Sequence, residues 1–211
     1  MGYKGDDSID SEHGIVYILN FNHIVVTPRY SALGSSVFHT SSELTSSQGY
    51  YDSFLNQQII GLPTTTGNST GTVNEQLYNE FGNHLKTYKT IFTKKTFNTM
   101  SNNLGNTNYL GSTGITDNNS WSLWKLCQAN LFCESDLFGH NSLSSSGWED
   151  SNSRGIFPAF LYDAKLACFD WAPYWTRNIA SSKTAIRVNS GTFDTISFNT
   201  KHIVRPYFVL A

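Results

Sequence analysis

The segment from residue 174 to the C-terminus constrains the fold more than any other part of this sequence. A strand-like stretch runs to Val188, turn residues occupy 189–191, and a second strand-like stretch follows. The chain then closes on residues 203–210, which are apolar apart from Arg205. Two β-rich stretches around a short turn that contains glycine predict a hairpin. The apolar ending predicts a closing strand after the hairpin.

Composition is compatible with a globular domain and argues against two kinds of partner. With 211 residues the chain is long enough for one domain with a substantial core. Charged residues are only 14%, against about 25% in typical soluble domains. The 67 Ser, Thr and Asn residues supply the polarity instead. A net charge of −2, with no basic cluster denser than Lys94-Lys95, argues against nucleic-acid binding. No run of 18 apolar residues occurs, so we expect no membrane insertion.

The N-terminus differs in character from the rest of the chain. Residues 1–13 are polar and acidic and lack the features of a secretory signal. They predict a flexible arm or an attachment segment. Residues 14–211 are expected to form a single domain. In an alternative interpretation, residues 14–49 form a separate attachment element.

Strand and loop composition alternates in the first fifty residues. The stretches 14–19 and 24–26 are rich in β-branched and aromatic residues, which predicts strands. Residues 20–23 are expected to be the turn between them. The Ser- and Thr-rich stretch 31–48 predicts a loop.

Two segments have the periodicity of helices. Residues 50–60 predict a short helix that ends before Pro63. Its expected apolar face consists of Tyr51, Phe54, Leu55 and Ile59. The second helix is predicted more strongly, because apolar residues recur at spacings of three or four in Val73, Leu77, Phe81, Leu85 and Tyr88. Thr72 or Asn74 is the expected N-terminal cap of this helix.

Polar loops and apolar segments alternate further along the chain. Residues 98–119 and 140–154 are dominated by small polar residues and predict long loops. Residues 121–138 predict a buried strand followed by a tight turn at 134–136. Residues 157–169 return to the character of a core.

The mixture of elements predicts an α+β fold. Short strands, two helices and long loops are typical of helices set against an antiparallel sheet. All five tryptophans lie between residue 121 and residue 175, so we expect the core to be built around this half.

The sequence contains no recognisable catalytic or metal-binding motif. Nucleophile-elbow, zinc-protease and phosphate-loop patterns do not occur, and the six histidines are scattered without ligand spacing. The three cysteines, Cys127, Cys133 and Cys168, sit beside apolar residues, which favours buried thiols over a disulfide or a reactive cysteine. We therefore expect no enzymatic activity, no cofactor and no metal.

Two motifs in the C-terminal segment resemble a known family. Residues 174–178 read Tyr-Trp-Thr-Arg-Asn, and residues 203–207 read Ile-Val-Arg-Pro-Tyr. They resemble the Tyr-Trp-Leu-Arg-Ser and Gly-Val-Arg-Pro motifs of the C-type-lectin-like domain found in virion proteins of tailed phages that infect Gram-positive bacteria. Segments 51–56, 81–85 and 134–139 resemble further parts of that family, in the same order. The chain departs from the family pattern at Thr176, Asn178 and Ile203.

This resemblance implies both a fold and a function. The implied fold is the C-type-lectin-like α+β fold, with two helices against antiparallel sheets and long loops. The implied function is that of a non-enzymatic structural protein of the virion, in a tail, baseplate or head fibre, with host surface glycan as the candidate ligand. A bacterial secreted or surface carbohydrate-binding module is the alternative.

The resemblance also implies partners and a location. The expected partners are other virion proteins, further copies of the chain in a homo-oligomer such as a trimer, and host cell-wall glycan. The expected location is the virion, after synthesis in the host cytoplasm. An extracellular location belongs to the alternative function.

The residues of the two motifs have a structural interpretation. Trp175 offers a large apolar body to a core. Arg177 and Arg205 can donate several hydrogen bonds to carbonyls or carboxylates, and so tie loops to a sheet. Val204 belongs to the same motif, and Pro206 stiffens the entry to the last strand. The alternative is that these arginines bind a ligand.

A ligand site is expected on the hairpin and the loops beside it. The polar residues Asn189, Thr192, Asp194 and Asn199 lie near Phe198 in the sequence. An aromatic ring beside neutral hydrogen-bonding groups suits a sugar. A solvated hairpin turn is the competing interpretation. Trp148-Glu149-Asp150 resembles the Trp-Asn-Asp motif of calcium-dependent lectins, but Glu149 replaces the asparagine and a solvated loop is favoured there.

Overall fold

The structure is a computed structural model that describes residues 24–28, 33–45, 48–64, 67–68, 70–93, 122–138, 160, 163–167 and 172–211. Several predicted features lie outside these residues. They are the arm at 1–13, the strand at 14–19, the turn at 20–23, the loops at 98–119 and 140–154 with Trp148-Glu149-Asp150, and the thiol of Cys168.

The chain is a mixed α+β protein whose regular elements are mostly short strands. In chain order the strands are β1 (Ile24–Val26), β2 (Ser35–Val37), β3 (Pro63–Thr64), β4 (Gly67–Asn68), β5 (Tyr88–Thr93), β6 (Ser122–Cys127), β7 (Ala129–Leu131), β8 (Tyr174–Ile179), β9 (Thr184–Asn189), β10 (Thr192–Ser197), β11 (Lys201–Ile203) and β12 (Pro206–Leu210). Two α-helices have bounds within the described residues, α1 (Val73–Phe81) and α2 (Glu134–Phe138).

Two sheets organise the fold. The larger has the strand order β10-β9-β8-β11-β2, and the smaller has the order β1-β12-β7. All neighbouring pairs in these sheets are antiparallel except β8 and β11, which run parallel. Two-stranded ladders β3-β4 and β5-β6 complete the arrangement of the described strands.

The C-terminal segment belongs to both sheets. Strand β11 lies between β8 and β2 in the larger sheet, and β12 lies between β1 and β7 in the smaller one. Only Val204 and Arg205 separate these two strands. The predicted closing strand is therefore two strands, and the chain crosses from one sheet to the other at Val204 and Arg205.

The predicted hairpin is confirmed as the β9–β10 pair. The register places Asn189 opposite Thr192, which leaves Ser190 and Gly191 as a two-residue turn. The predicted turn at 189–191 was therefore one residue too long, because Asn189 belongs to β9. Both turn residues have positive φ, 49° for Ser190 and 81° for Gly191. Two consecutive positive φ values define the tight turn whose twist matches that of the flanking strands, and glycine adopts this conformation without steric cost.

Helix α1 is shorter than its apolar pattern predicts. It begins after Thr72, whose side-chain hydroxyl accepts a hydrogen bond from the backbone N–H of Glu75, so Thr72 is the cap. It ends at Phe81 because Gly82 adopts a φ of 51°. Leu85 pairs instead with Leu210, and Tyr88 begins β5. The extension of the helix to residue 88 was wrong, because a single glycine broke a pattern that continued past it.

The predicted helix at 50–60 takes a different form. A 3-10 turn at Tyr50–Asp52 is followed by a π-helix at Leu55–Ile60, in which the N–H of Gly61 donates to the carbonyl of Asn56. Of the predicted apolar face, Leu55 is fully buried, while Tyr51, Phe54 and Ile59 are only partly buried. Within the π-helix the buried apolar residues Leu55 and Ile60 are five residues apart, in keeping with i→i−5 hydrogen bonding, which a search for 3.6-residue periodicity misses.

Two further predictions of irregular structure are corrected. The stretch 31–48 contains β2, and its side chains Phe38 and Leu44 are buried in the core. The expected tight turn at 134–136 is the start of helix α2. The carboxylate of Asp136 accepts a hydrogen bond from the N–H of Cys133, which caps the start of this helix.

The core draws on both halves of the chain. Trp175 is completely buried; its ring lies 5.3 Å from that of Phe38, and its indole N–H donates to the carbonyl of Ser36. Phe38 in turn stacks on Phe198 at 5.3 Å. The expectation of a core built around residues 121–175 was therefore too narrow. Cys127 and Cys133 are buried thiols, as predicted.

Among the helices that the structure describes, none is both long and apolar enough to cross a membrane.

Replacing Trp175 with alanine should lower the free energy of unfolding by about 3–5 kcal/mol, because it leaves a large cavity beside Phe38 and removes the indole hydrogen bond to Ser36. Urea denaturation followed by circular dichroism measures the change. Tyr78→Ala is the control, because the Tyr78 side chain is 46% exposed and its loss should change stability by less than about 1 kcal/mol. Equal effects of the two substitutions would contradict the assignment of Trp175 to the core.

Candidate functional site

The β9–β10 hairpin carries a cluster of polar side chains on one face. Arg187 and Asp194 are register partners across the two strands, so their side chains point to the same side. The Nε of Arg187 donates to Oδ1 of Asp194 at 2.5 Å, and Nη2 donates to Oδ2 at 2.9 Å. The Nδ2 of Asn189 also donates to Oδ2 of Asp194, at 3.1 Å. Residues two apart on a strand share a face, which brings Asn189 into the cluster.

The charge of Asp194 is stabilised by its neighbours. Hydrogen bonds from Arg187 are the main cause that lowers the pKa of Asp194 below its ordinary value, and the hydrogen bond from Asn189 adds to them. Burial acts in the opposite direction. The carboxylate therefore contributes stability at neutral pH, and this contribution is lost as the pH falls and the group is protonated.

His202 joins the cluster from β11. The Nη1 of Arg187 lies 3.1 Å from Nε2 of His202. A guanidinium can only donate, so Nε2 must accept, and the imidazole is neutral. The His202 ring also packs edge-on against Trp175 at 4.7 Å. Burial, and then the charge of Arg187, lower the pKa of His202 to about 4. We refer to Arg187, Asn189, Asp194 and His202 as the hairpin cluster.

The residues predicted to bind a ligand are only partly brought together. Asn189 and Asp194 belong to the hairpin cluster, and Thr192 lies beside them with its hydroxyl donating to the carbonyl of Asn189. Asn199 is exposed, and its side-chain oxygen accepts from the hydroxyl of Ser197. These polar groups are mostly engaged with one another, which fits a well-ordered hairpin surface.

The placement of Phe198 in a ligand site was wrong. Its side chain has no exposed surface and stacks on Phe38 in the core. Its carbonyl accepts hydrogen bonds from the N–H groups of Phe38 and His39, which fixes the backbone there after β10 ends. The chain turns inward at Phe198, so no aromatic face from this residue is available to a sugar.

Sequence reasoning missed Arg187 and His202. Arg187 could have been found, because it and Asp194 are placed symmetrically about the turn at 190–191, and a two-residue hairpin pairs such positions directly. His202 carries no comparable signal. Its contact with Arg187 spans β8, and only the order of the strands in the sheet brings the two side chains together.

The predicted structural motif lies in the interior. Trp175 and Arg177 have no exposed surface, Val204 is 1% exposed, and Pro206 is buried where it pairs with Leu131 at the start of β12. A guanidinium nitrogen of Arg177 lies 3.9 Å from the equally buried carboxylate of Asp136. Arg177 therefore connects β8 to helix α2.

Arg205 holds three backbone carbonyls at the crossing between the sheets. Its Nε donates to the carbonyl of Pro28 at 3.1 Å, Nη1 to that of Ala167 at 3.2 Å, and Nη2 to that of Leu166 at 2.7 Å. The guanidinium also lies 5.1 Å from the ring centroid of Tyr174. At 3% exposure, Arg205 has little surface left for an external ligand.

Within the described part of the chain, no group of three or more His, Cys, Asp or Glu side chains is arranged to hold a metal ion.

Arg205→Lys should lower the free energy of unfolding by about 2–3 kcal/mol, because one ammonium group cannot reach the three carbonyls that the guanidinium binds. Chemical denaturation measures the loss. The reverse exchange, Lys201→Arg, is the matched control at an exposed position and should have almost no effect. An Arg205→Lys protein as stable as the parent would show that these carbonyl contacts contribute little.

The coupling between Arg187 and Asp194 can be measured with a double-mutant cycle. We expect about 1 kcal/mol from Arg187→Ala and Asp194→Ala at neutral pH, because their contact is bidentate but both side chains are partly exposed. The coupling should fall as acid protonates Asp194. A coupling that is zero at neutral pH, or independent of pH, would contradict the ion pair.

No family model, no curated protein and no solved structure matches this chain. Its function has therefore to be inferred from the residues and contacts described above.

Proposed function

We propose that the chain is a non-enzymatic structural protein of a phage virion with a C-type-lectin-like fold, located in a tail, baseplate or head fibre. We further propose that it contacts a host surface glycan, and that it assembles as a homo-oligomer with other virion proteins. This proposal rests on the order of the sequence motifs and on the way the α+β architecture joins them.

The observation that carries the proposal is the contact between the two resembling motifs. The motif at 174–178 lies on β8, and the motif at 203–207 begins at the end of the neighbouring strand β11, where Ile203 is the register partner of Tyr174. The N–H of Ile203 donates to the carbonyl of Pro173, and the guanidinium of Arg205 lies over the ring of Tyr174. Segments far apart in sequence thus form one structural unit, which is the behaviour expected of a shared family core.

Ile203 stands where the family pattern has a glycine. A glycine permits backbone conformations that isoleucine disfavours. Here the position lies in a strand that pairs with both β2 and β8, where a β-branched residue is well suited. The substitution is therefore compatible with this fold at that position.

The surface around the hairpin favours recognition by hydrogen bonds over stacking. Thr192 and Asn199 are exposed and neutral, and Asn189 is partly exposed beside the ordered carboxylate of Asp194. Phe198 is unavailable because it lies in the core. A glycan bound here would use its hydroxyl groups with these side chains, and the buried arginines would serve the scaffold.

The experiment is a binding assay with Gram-positive cells and extracted wall polysaccharides. The parent protein is compared with the double variant Thr192→Ala/Asn199→Ala, which removes exposed polar groups and leaves the Arg187–Asp194 contact in place. If the hairpin binds glycan, the double variant should bind roughly tenfold more weakly, which is the loss expected for one or two hydrogen bonds. Saturable binding that the polysaccharide competes would support the proposal.

The matched control is Gln76→Ala/Asn79→Ala, which removes two exposed polar side chains from α1. It should bind like the parent. Loss of binding in both double variants would point away from the hairpin. A folded oligomer that binds no cell and no polysaccharide would contradict the glycan part of the proposal and leave a role in assembly.

A further inference from the structure

We propose that His39 and His202 make the larger sheet sensitive to mild acid, because each must remain unprotonated to keep the contact that holds its segment on the core. The inference concerns the conformation of the chain and does not depend on the proposed binding of glycan.

The first contact joins β11 to the hairpin. The Nε2 of His202 accepts from Nη1 of Arg187 at 3.1 Å. A proton on Nε2 would remove the acceptor and set an imidazolium cation against a guanidinium cation at that distance. The contact therefore exists only while His202 is neutral.

The second contact joins the end of β2 to the helical segment that follows. The backbone N–H of Phe54 donates to Nδ1 of His39 at 3.0 Å. Protonation of Nδ1 would remove this acceptor and leave the N–H of Phe54 opposite a second donor. Burial lowers the pKa of His39, in agreement with a ring that is used in its neutral form.

Both histidines adjoin the same aromatic cluster. His202 packs on Trp175, and His39 directly follows Phe38, whose ring lies 5.3 Å from that of Trp175. Loss of either contact would loosen the edge of this cluster. Loss of both contacts would release the hairpin and the π-helix from the aromatic cluster together.

The charged groups around each histidine set the size of its effect. Arg187 on β9 opposes the charging of His202, while Asp194 on β10 favours it and is itself bound to Arg187. Asp52 favours the charging of His39 and partly offsets burial. The β8 and β2 neighbours of His202, Trp175 and Ser36, bring no charge. Considering these described groups together, protonation is less favourable at His202 than at His39.

The expected pH dependence follows from the two protonation equilibria. Well above pH 6.5, the ordinary pKa of histidine, both rings are neutral in the folded and unfolded chains and stability is unaffected. As the pH falls below 6.5, the unfolded chain takes up protons that the folded chain resists, so folding becomes less favourable. For His202 the loss continues until its folded pKa of about 4 is reached.

The test measures urea unfolding of the full chain at a series of pH values from 7.5 to about 4.5, where most carboxylates remain charged. The unfolding equilibrium constant of the parent should rise with acid, by up to about tenfold per pH unit for each histidine that resists protonation. His202→Gln should flatten this dependence, because a glutamine oxygen can accept from Arg187 and takes up no proton. His39→Gln should flatten it less.

An NMR titration of the histidine rings in the parent protein provides a second measurement. The His202 ring should remain unprotonated well below pH 6, whereas a ring that titrates at 6.5 or above would overturn the proposal. A His202→Gln protein with the same pH dependence as the parent would overturn it as well. If His202→Gln fails to fold at pH 7.5, the ring titration decides the question alone.

Discussion

The rest of the structure depends on the hydrogen bonds that Arg205 makes where the chain crosses from one sheet to the other. The chain leaves the larger sheet at Ile203 and enters the smaller one at Pro206, with only two residues between them. Arg205 occupies that short crossing and binds three carbonyls from segments far away in sequence. A planar guanidinium can satisfy three such acceptors while its faces rest against aromatic rings. Arg205 thus ties the crossing to the segment that follows β1 and to residues 166–167, while its guanidinium lies over the Tyr174 ring of β8.

The hairpin was predictable from sequence because its determinants are local. A turn containing Ser190 and Gly191 between β-rich stretches predicts the connection. The register, and with it the pairing of Arg187 and Asp194, depends on the turn having two residues where three were predicted. The cap at Thr72 was also one of two named candidates for a local reason, since its hydroxyl reaches a backbone group three residues away. These features require no knowledge of distant contacts.

The parts that were not predicted depend on tertiary contacts. The composition of the Ser-rich stretch around Phe38 does not predict a strand. Strand β2 nevertheless forms there, by pairing with β11. Phe198 was predicted to lie at the surface in a ligand site, but in the folded sheet its ring stacks on Phe38 in the core. The π-helix at Leu55–Ile60 follows a spacing that ordinary helical periodicity does not represent. Only the order of the strands in the sheet brings His202 to Arg187. The sequence therefore predicted Asn189 and Asp194 of the hairpin cluster and missed the other two residues.

The pairing of β1 with β12 has a mechanical consequence. Ile24 lies opposite Leu210, so the two outer ends of these antiparallel strands are side by side. Tension applied between them would load the ladder one hydrogen bond at a time and peel the strands apart, which is the weakest direction for a sheet. A tether at one end alone would place no such load on the ladder.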